Sequence, residues 1–298
     1  MTISTKLQKK LQQKTILLDG GWGTELQKLG LPVGAHPDLW CLENPDAVAS
    51  VARSYVEAGS DVVLTNTFGS SRFVLDKHGL ADKVAEINKR GAEISVEAAA
   101  NAKDRDVVVF ASVGPTGVML ALGAVQESEI YDAYLEQMTA LKEGGVEAVV
   151  LETSSDPQEA AQGVKAAKEL GLFVAVTAVF DSGRNKDRTM MGATPEAYIK
   201  AVESVGADVV GSNCGRGIES FAPICKRMRE ATQFPIWMKG NAGLPQTVDG
   251  VTTYAQTAEA FADGAVALLD EGATFIGGCC GTTPAFIAEL RRRIDARG

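Results

Sequence analysis

The stretch "EAVVLETSSDPQEAAQGVKAAKELGLFVAVTAVFDSG", residues 147–183, decides the fold. It opens with an apolar, β-branched run ending in polar residues, passes through a helical pattern, and returns to a second apolar run ending in Asp-Ser-Gly. Near-continuous apolar strands on either side of a helix describe a parallel sheet covered on both faces. Outward from this unit the theme recurs. Similar runs are "TILLDGGWG" (15–23), "SDVVLTNTFG" (60–69), "DVVVFASVGPTG" (106–117), "ADVVGSNCG" (207–215), "FPIWMKGNAG" (234–243) and "ATFIGGCCG" (273–281). Between them lie helical patterns such as "NPDAVASVARSYVEAG", which closes on Gly59 as a C-terminal cap would, "EIYDAYLEQMTALKEGG" and "TPEAYIKAVESVG". Eight strands alternating with helices predict a single-domain α/β protein, a (β/α)8 TIM barrel over residues 15–298 behind a helical extension at 1–14. An open doubly wound sheet would want a G-x-G-x-x-G turn, and neither "GGWGTE" nor "GRGIES" supplies one.

The bulk numbers narrow the class. A chain of 298 residues, 45% hydrophobic, can bury a sizeable core without disulfide staples. A net charge of −9 argues against a nucleic-acid or anionic-membrane surface. The opening "MTISTKLQKKLQQK" lacks the apolar stretch of a signal peptide, and no apolar run is long enough for a membrane span, so a cytoplasmic address is expected. Five cysteines make a poor disulfide framework. With only two histidines, His36 and His78, a histidine triad or a multi-histidine metal site is nearly excluded.

In such barrels the active site lies at the carboxyl ends of the strands. Asp19, Thr65, Glu152, Cys214, Asn241, Cys279 and Cys280 all fall there. Cys214 ends the sixth run and Cys279 and Cys280 end the eighth, two strands apart on the rim. Three thiolates without histidine make a tetrahedral zinc site with one vacant position, the pattern of a catalytic centre. Adjacent cysteines can both ligate only if the backbone bends between them, which Gly277, Gly278 and Gly281 permit. Vicinal cysteines also occur as buried small hydrophobes or in a strained disulfide; Cys214 at a second strand end favours the metal. Cys41 and Cys225 sit away from strand ends and read as bystanders. Zinc with three thiolates is a weak Lewis acid that still deprotonates an incoming thiol, which suits thiolate alkylation better than hydrolysis.

The segments "DGGWGTELQKLG", "TNTFG", "LETSSD", "GSNCG", "NAG" and "GGCCGTTP" occur in order from residue 19 to 284. Together they resemble the homocysteine S-methyltransferases: the homocysteine-binding barrel of cobalamin-dependent methionine synthase, betaine–homocysteine methyltransferase and S-methylmethionine-dependent relatives. The resemblance implies a zinc-dependent methyltransferase of methionine biosynthesis, with one Zn2+ per chain on Cys214, Cys279 and Cys280. Homocysteine sulfur would fill the open position and be methylated as a zinc-bound thiolate. It also implies that Asp19 and Glu152 receive the homocysteine amine, and that Asn241 lies beside or on the metal when substrate is absent.

Physical reading of the other strand ends extends this picture. Gly20 and Gly21 precede Thr24 and Gln27, a capping-box spacing whose free backbone N–H groups would receive the α-carboxylate. Thr65 and Thr67 could serve that carboxylate or only line the rim. The charged segment "DSGRNKDRTMMG" (181–192) reads as a solvated loop, with a lid or a docking surface for a methyl-donor protein as the alternative. A barrel of this length leaves no room for a cobalamin domain, so the expected methyl donor is a methylcorrinoid protein in trans, with betaine or S-methylmethionine as alternatives. An aromatic cage for a quaternary ammonium could draw on Trp22 and Trp40, but "TNTFGSS" lacks the tyrosine found in betaine enzymes. Two other classes compete. A metal-independent phosphate-binding aldolase or isomerase would use "GNAG" and "FIGG" as anion loops and Lys239 as a Schiff-base lysine. A non-catalytic zinc or corrinoid-partner module would bind metal without turnover.

Overall fold

The computed structural model describes residues 3–248 and 251–297. Its strands are β1 (Ile16–Leu17), β2 (Val62–Leu64), β3 (Val108–Val113), β4 (Ala148–Ser154), β5 (Phe173–Ala178), β6 (Val209–Gly217), β7 (Ile236–Asn241), a hairpin β8 (Pro245–Val248) and β9 (Val251–Tyr254), and β10 (Phe275–Gly278). Eight of them form one sheet in the order β1-β10-β7-β6-β5-β4-β3-β2, and every pairing within it is parallel. Helices follow the strands and cover the outside, so the chain is a single-domain, nearly closed (β/α)8 barrel. Among the described residues no helix is long and apolar enough to cross a membrane.

The strands sort their side chains as a two-sided sheet must. Val108 and Phe110 face the barrel interior, whereas Val109 and Ala111 face the helices. The interior is filled by an aromatic layer in which Trp237 stacks on Phe275 at 5.2 Å and lies 5.5 Å from Phe110. The amino-terminal helix Thr5–Leu11 joins this interior, because Leu7 is fully buried and belongs to the same cluster as Ile16, Val62 and Phe173. Lys10 on the same helix pairs with Asp61 at 2.9 Å.

The first strand departs from expectation. Only Ile16 and Leu17 of "TILLDGGWG" are in a ladder, and they pair with β10 alone. On the β2 side, carboxylates complete the closure. The Leu17 N–H donates to Asp61 Oδ2 at 2.9 Å, and the Leu64 N–H donates to Asp19 Oδ2 at 2.8 Å. One backbone bond, from the Asp61 N–H to the Leu17 carbonyl at 2.7 Å, joins them. The hairpin between β7 and β10 is the other departure: an antiparallel pair inserted where the barrel pattern calls only for a loop and a helix.

Candidate active site

A cavity of about 700 Å³ opens at the carboxyl ends of the strands, and Cys214, Cys279, Cys280, Glu152, Thr65 and Lys239 lie on its wall. The three cysteine sulfurs are within 4.8 Å of one another, and this is the one such cluster among the described residues. All five cysteines are free thiols, Cys41 and Cys225 being buried away from the cluster. A tetrahedral zinc with Zn–S near 2.3 Å needs sulfurs about 3.8 Å apart, so this donor set fits that ion with little movement. Hydrogen bonding to Cys214 and burial push the Cys279 thiol up, so a cation is what would let the cluster ionise.

Backbone geometry aims the sulfurs. Cys214 takes a left-handed conformation, φ 60°, at a register shift between β6 and β7, which turns its side chain out of strand alternation. Its neighbour Asn213 is fully buried and ties three strand ends together. The Asn213 Oδ1 accepts from the Thr153 N–H and the Thr177 hydroxyl, each at 2.7 Å, and its Nδ2 donates to Thr153 Oγ1 at 2.8 Å. Thr153 is itself left-handed, φ 63°, unusual for a β-branched residue, and its bonds to Asn213 hold it there. On the other side, the Cys279 N–H donates to the Gly240 carbonyl at 2.7 Å and the Cys280 N–H to Asn241 Oδ1 at 3.1 Å. Of the three glycines credited with the bend, Gly281 supplies the positive φ, 81°. Gly278 serves instead for close approach, since a Cβ there would meet Thr282 Oγ1 at 2.2 Å.

The residues expected to take the amino acid are brought together unequally. Glu152 lines the cavity; Ser112 donates to its Oε1, and burial raises its carboxyl above the usual range. Asp19 does not form part of the wall. Its fully buried carboxylate accepts from the Trp22 indole at 2.7 Å and the Leu64 N–H, with Oδ1 2.9 Å from Lys239 Nζ. Gly20 and Gly21 line the cavity, but the Gly21 N–H already donates to Thr282 through its carbonyl at 3.2 Å and hydroxyl at 3.1 Å. The predicted capping box is absent. Gly21 is the N-cap of Trp22–Lys28 without a side-chain bond, and the Thr24 hydroxyl donates back to the Gly21 carbonyl at 3.3 Å.

Thr65 is braced by its neighbours. Thr67 donates to the Ser112 carbonyl at 2.8 Å, so the Thr65 hydroxyl gives its proton to Thr67 while accepting the Ser112 N–H at 3.0 Å. Asn241 spends its side-chain carbonyl on Cys280 and is buried rather than on the cavity wall. Lys239, read as a possible Schiff-base residue, is held protonated. Burial would lower its pKa, but the carboxylates of Asp19 and Glu152 outweigh it and keep the group above its ordinary value. The segment 181–192 closes on itself through paired backbone bonds between Ser182 and Arg188. Three contributors escaped the sequence reading. Asn213 sits inside "GSNCG" and was signalled only by its place beside a cysteine. Ser112 and the hairpin residue Tyr254, which lines the cavity against Gly281, carried no sequence signal.

Fold and site together define a barrel whose carboxyl-end cavity carries three convergent thiols and a buried acid. The family model described as homocysteine S-methyltransferase matches residues 16–294, and the chain belongs to that family. It is 30% identical over 303 residues to the methionine synthases of Mycobacterium tuberculosis and Mycobacterium leprae, matching 96% of this chain and 25% of each relative. The chain thus spans about a quarter of the length of these curated relatives. The metallated form of the Escherichia coli homocysteine methyltransferase MmuM has the same fold, with a TM-score of 0.80 at 22% identity over 97% of this chain and all of that one.

Proposed function

We propose that the protein methylates the sulfur of homocysteine to give methionine, with one zinc ion held by Cys214, Cys279 and Cys280. The observation that carries this reading is the meeting of three sulfurs within 4.8 Å on the wall of a cavity that also presents Glu152. Zinc bound there would favour the ionised form of an incoming thiol at neutral pH. The chain's own residues supply position. Glu152, fixed through one oxygen by Ser112, receives the substrate ammonium with the other. Asp19 acts from behind the wall, holding Trp22, Lys239 and the Gly20–Gly21 turn in place. Holding donor methyl and sulfur in line supplies much of the acceleration, and no base at the sulfur is required.

For the donor, the reading favours a methylcorrinoid carried by a partner protein. One observation supports it: exposed apolar side chains gather on the loops at the cavity end, Phe68 after β2, Met119 and Leu122 after β3, Met190 after β5 and Leu244 after β7. The test is metal analysis and homocysteine calorimetry on wild type and Cys280→Ser, followed by turnover with methylcobalamin, betaine and S-methylmethionine. About one zinc per chain, with thiol binding that releases a proton and weakens in the variant, supports the reading. Freshly reduced protein that takes up no zinc on reconstitution refutes it.

A further inference from the structure

From the residues on the cavity wall we infer that Lys239 is the carboxylate anchor of this site, so that Glu152 and Lys239 together select a zwitterionic amino-acid thiol. The inference rests on the thiol-methylation reading and adds a specificity residue to it. It starts from two competing anion receivers that are already engaged. The backbone at Gly21 has spent its N–H on Thr282, and the helix it precedes, Trp22–Lys28, has only seven residues. The Thr65 hydroxyl has spent its proton on Thr67.

Lys239 is the one lysine or arginine among the described residues lining the cavity. Its side chain is 3% exposed, so its charge is shielded from bulk water. An ammonium has three donors. One faces Asp19 Oδ1 at 2.9 Å and one reaches the Gly20 carbonyl at 3.2 Å. Among the described residues Nζ makes no further hydrogen bond or ion pair, and the cavity lies beside it. The ion pair with Asp19 and the hydrogen bond to Gly20 together restrict where the ammonium can turn. Lys239 stands on β7, between β6, which carries Cys214, and β10, which Cys279 follows. Glu152 stands on β4 and is close enough for each group to affect the other's charge. An α-amino acid places its ammonium and carboxylate on one carbon, so a single bound molecule can meet Glu152 with one end and Lys239 with the other. Each buried charge then gains an opposite partner, which is the condition for burying it.

The test uses zinc-loaded protein and three thiols: homocysteine, 4-mercaptobutanoic acid, which lacks the amine, and 3-aminopropane-1-thiol, which lacks the carboxylate. Calorimetry on Lys239→Gln should show affinity for homocysteine and 4-mercaptobutanoic acid falling about tenfold to a hundredfold, the worth of a charge-assisted hydrogen bond. Affinity for 3-aminopropane-1-thiol should stay within about threefold of wild type on the same reasoning. An equal loss for all three thiols would make Lys239 a brace for Asp19 and overturn the inference, while leaving thiol binding at the cysteines intact. Wild type alone gives a second measurement should the variant fold poorly. It should bind homocysteine at least about tenfold more tightly than 3-aminopropane-1-thiol, and equal affinities overturn the inference. Zinc-loaded wild type that binds none of the three removes the thiol reading itself, and the inference with it.

Discussion

Replacing Asn213 by alanine removes one side chain that serves β4, β5 and β6 at once. Three hydrogen bonds of 2.7–2.8 Å disappear, and the Thr153 N–H loses its acceptor. At about 1 kcal/mol for each of the other two bonds and about 1–3 kcal/mol for the orphaned amide, the loss is roughly 4 kcal/mol, less whatever the strained Thr153 backbone recovers by relaxing. For a chain of 298 residues the unfolding entropy scales to about 0.6 kcal/mol per degree, so the melting temperature should fall by about 6 °C. The measurement is circular dichroism melting in a chelator, so that metal does not contribute. Zinc affinity, read by competition with a chromophoric chelator, should also weaken, because Asn213 adjoins Cys214 where β6 leaves its ladder. An alanine variant that melts within about 2 °C of wild type and binds zinc equally well would refute the argument that these bonds hold the rim.

Other perturbations separate the floor, the rim and the mouth of the barrel. Leu7→Ala should cost about 3 kcal/mol through the void it leaves among Ile16, Val62 and Phe173, with zinc stoichiometry unchanged; an unaltered melting temperature would mean the helix does not seal the floor. Gly281→Ala sets a side chain at φ 81° with its Cβ 2.2 Å from Tyr254 Cγ, so a loss of more than about 1 kcal/mol and weaker metal binding are expected, checked by melting and chelator competition. Asp38, buried with Gly69 and Ser70 as donors, has its carboxyl raised from 3.8 to about 7 by burial. The folded state therefore keeps that proton where the unfolded chain has lost it, and wild type loses stability as pH climbs from about 4 to 7. Asp38→Asn lacks this slope, so it should gain on wild type by roughly 4 kcal/mol across that window, at 1.36 kcal/mol per pH unit. His36, held at about 4 by burial and by His78, slopes the opposite way, and its Nε2 lies 3.9 Å from Asp38 Oδ2, so the comparison is made in a His36→Gln background. Parallel urea-stability curves from pH 4 to 8 would contradict the assignment.

Most of the architecture was legible because it rests on patterns local in sequence. Val108–Val113 is a continuous apolar run and becomes a fully buried strand. Pro157 and Pro195 sit in the first turns of their helices, where a missing N–H costs nothing. The cysteines were legible as a convergent set because each closes an apolar run in the sequence and the strand order follows from the fold. Partner choice was not legible. Asp19 and Glu152 look alike in sequence, each a carboxylate at the end of an apolar run. Asp19 is consumed by Lys239, Trp22 and Leu64, contacts made as far as 220 residues along the chain, while Glu152 keeps a face on the cavity. The short first strand follows the same logic. "TILLDGGWG" has strand composition, but its β2 side is joined largely by the side chains of Asp61 and Asp19, which no periodicity reveals.

That side-chain seam gives the molecule a built-in reporter. The Leu64 amide is protected by Asp19 Oδ2, and the other oxygen of the same carboxylate faces Lys239. A ligand carboxylate on the lysine's remaining donor shares that charge with Asp19, and the change is felt at one backbone N–H on the far side of the Asp19 carboxyl group. Occupancy of the cavity can thus be followed as an isotope-exchange rate at a single position, without following methyl transfer at all.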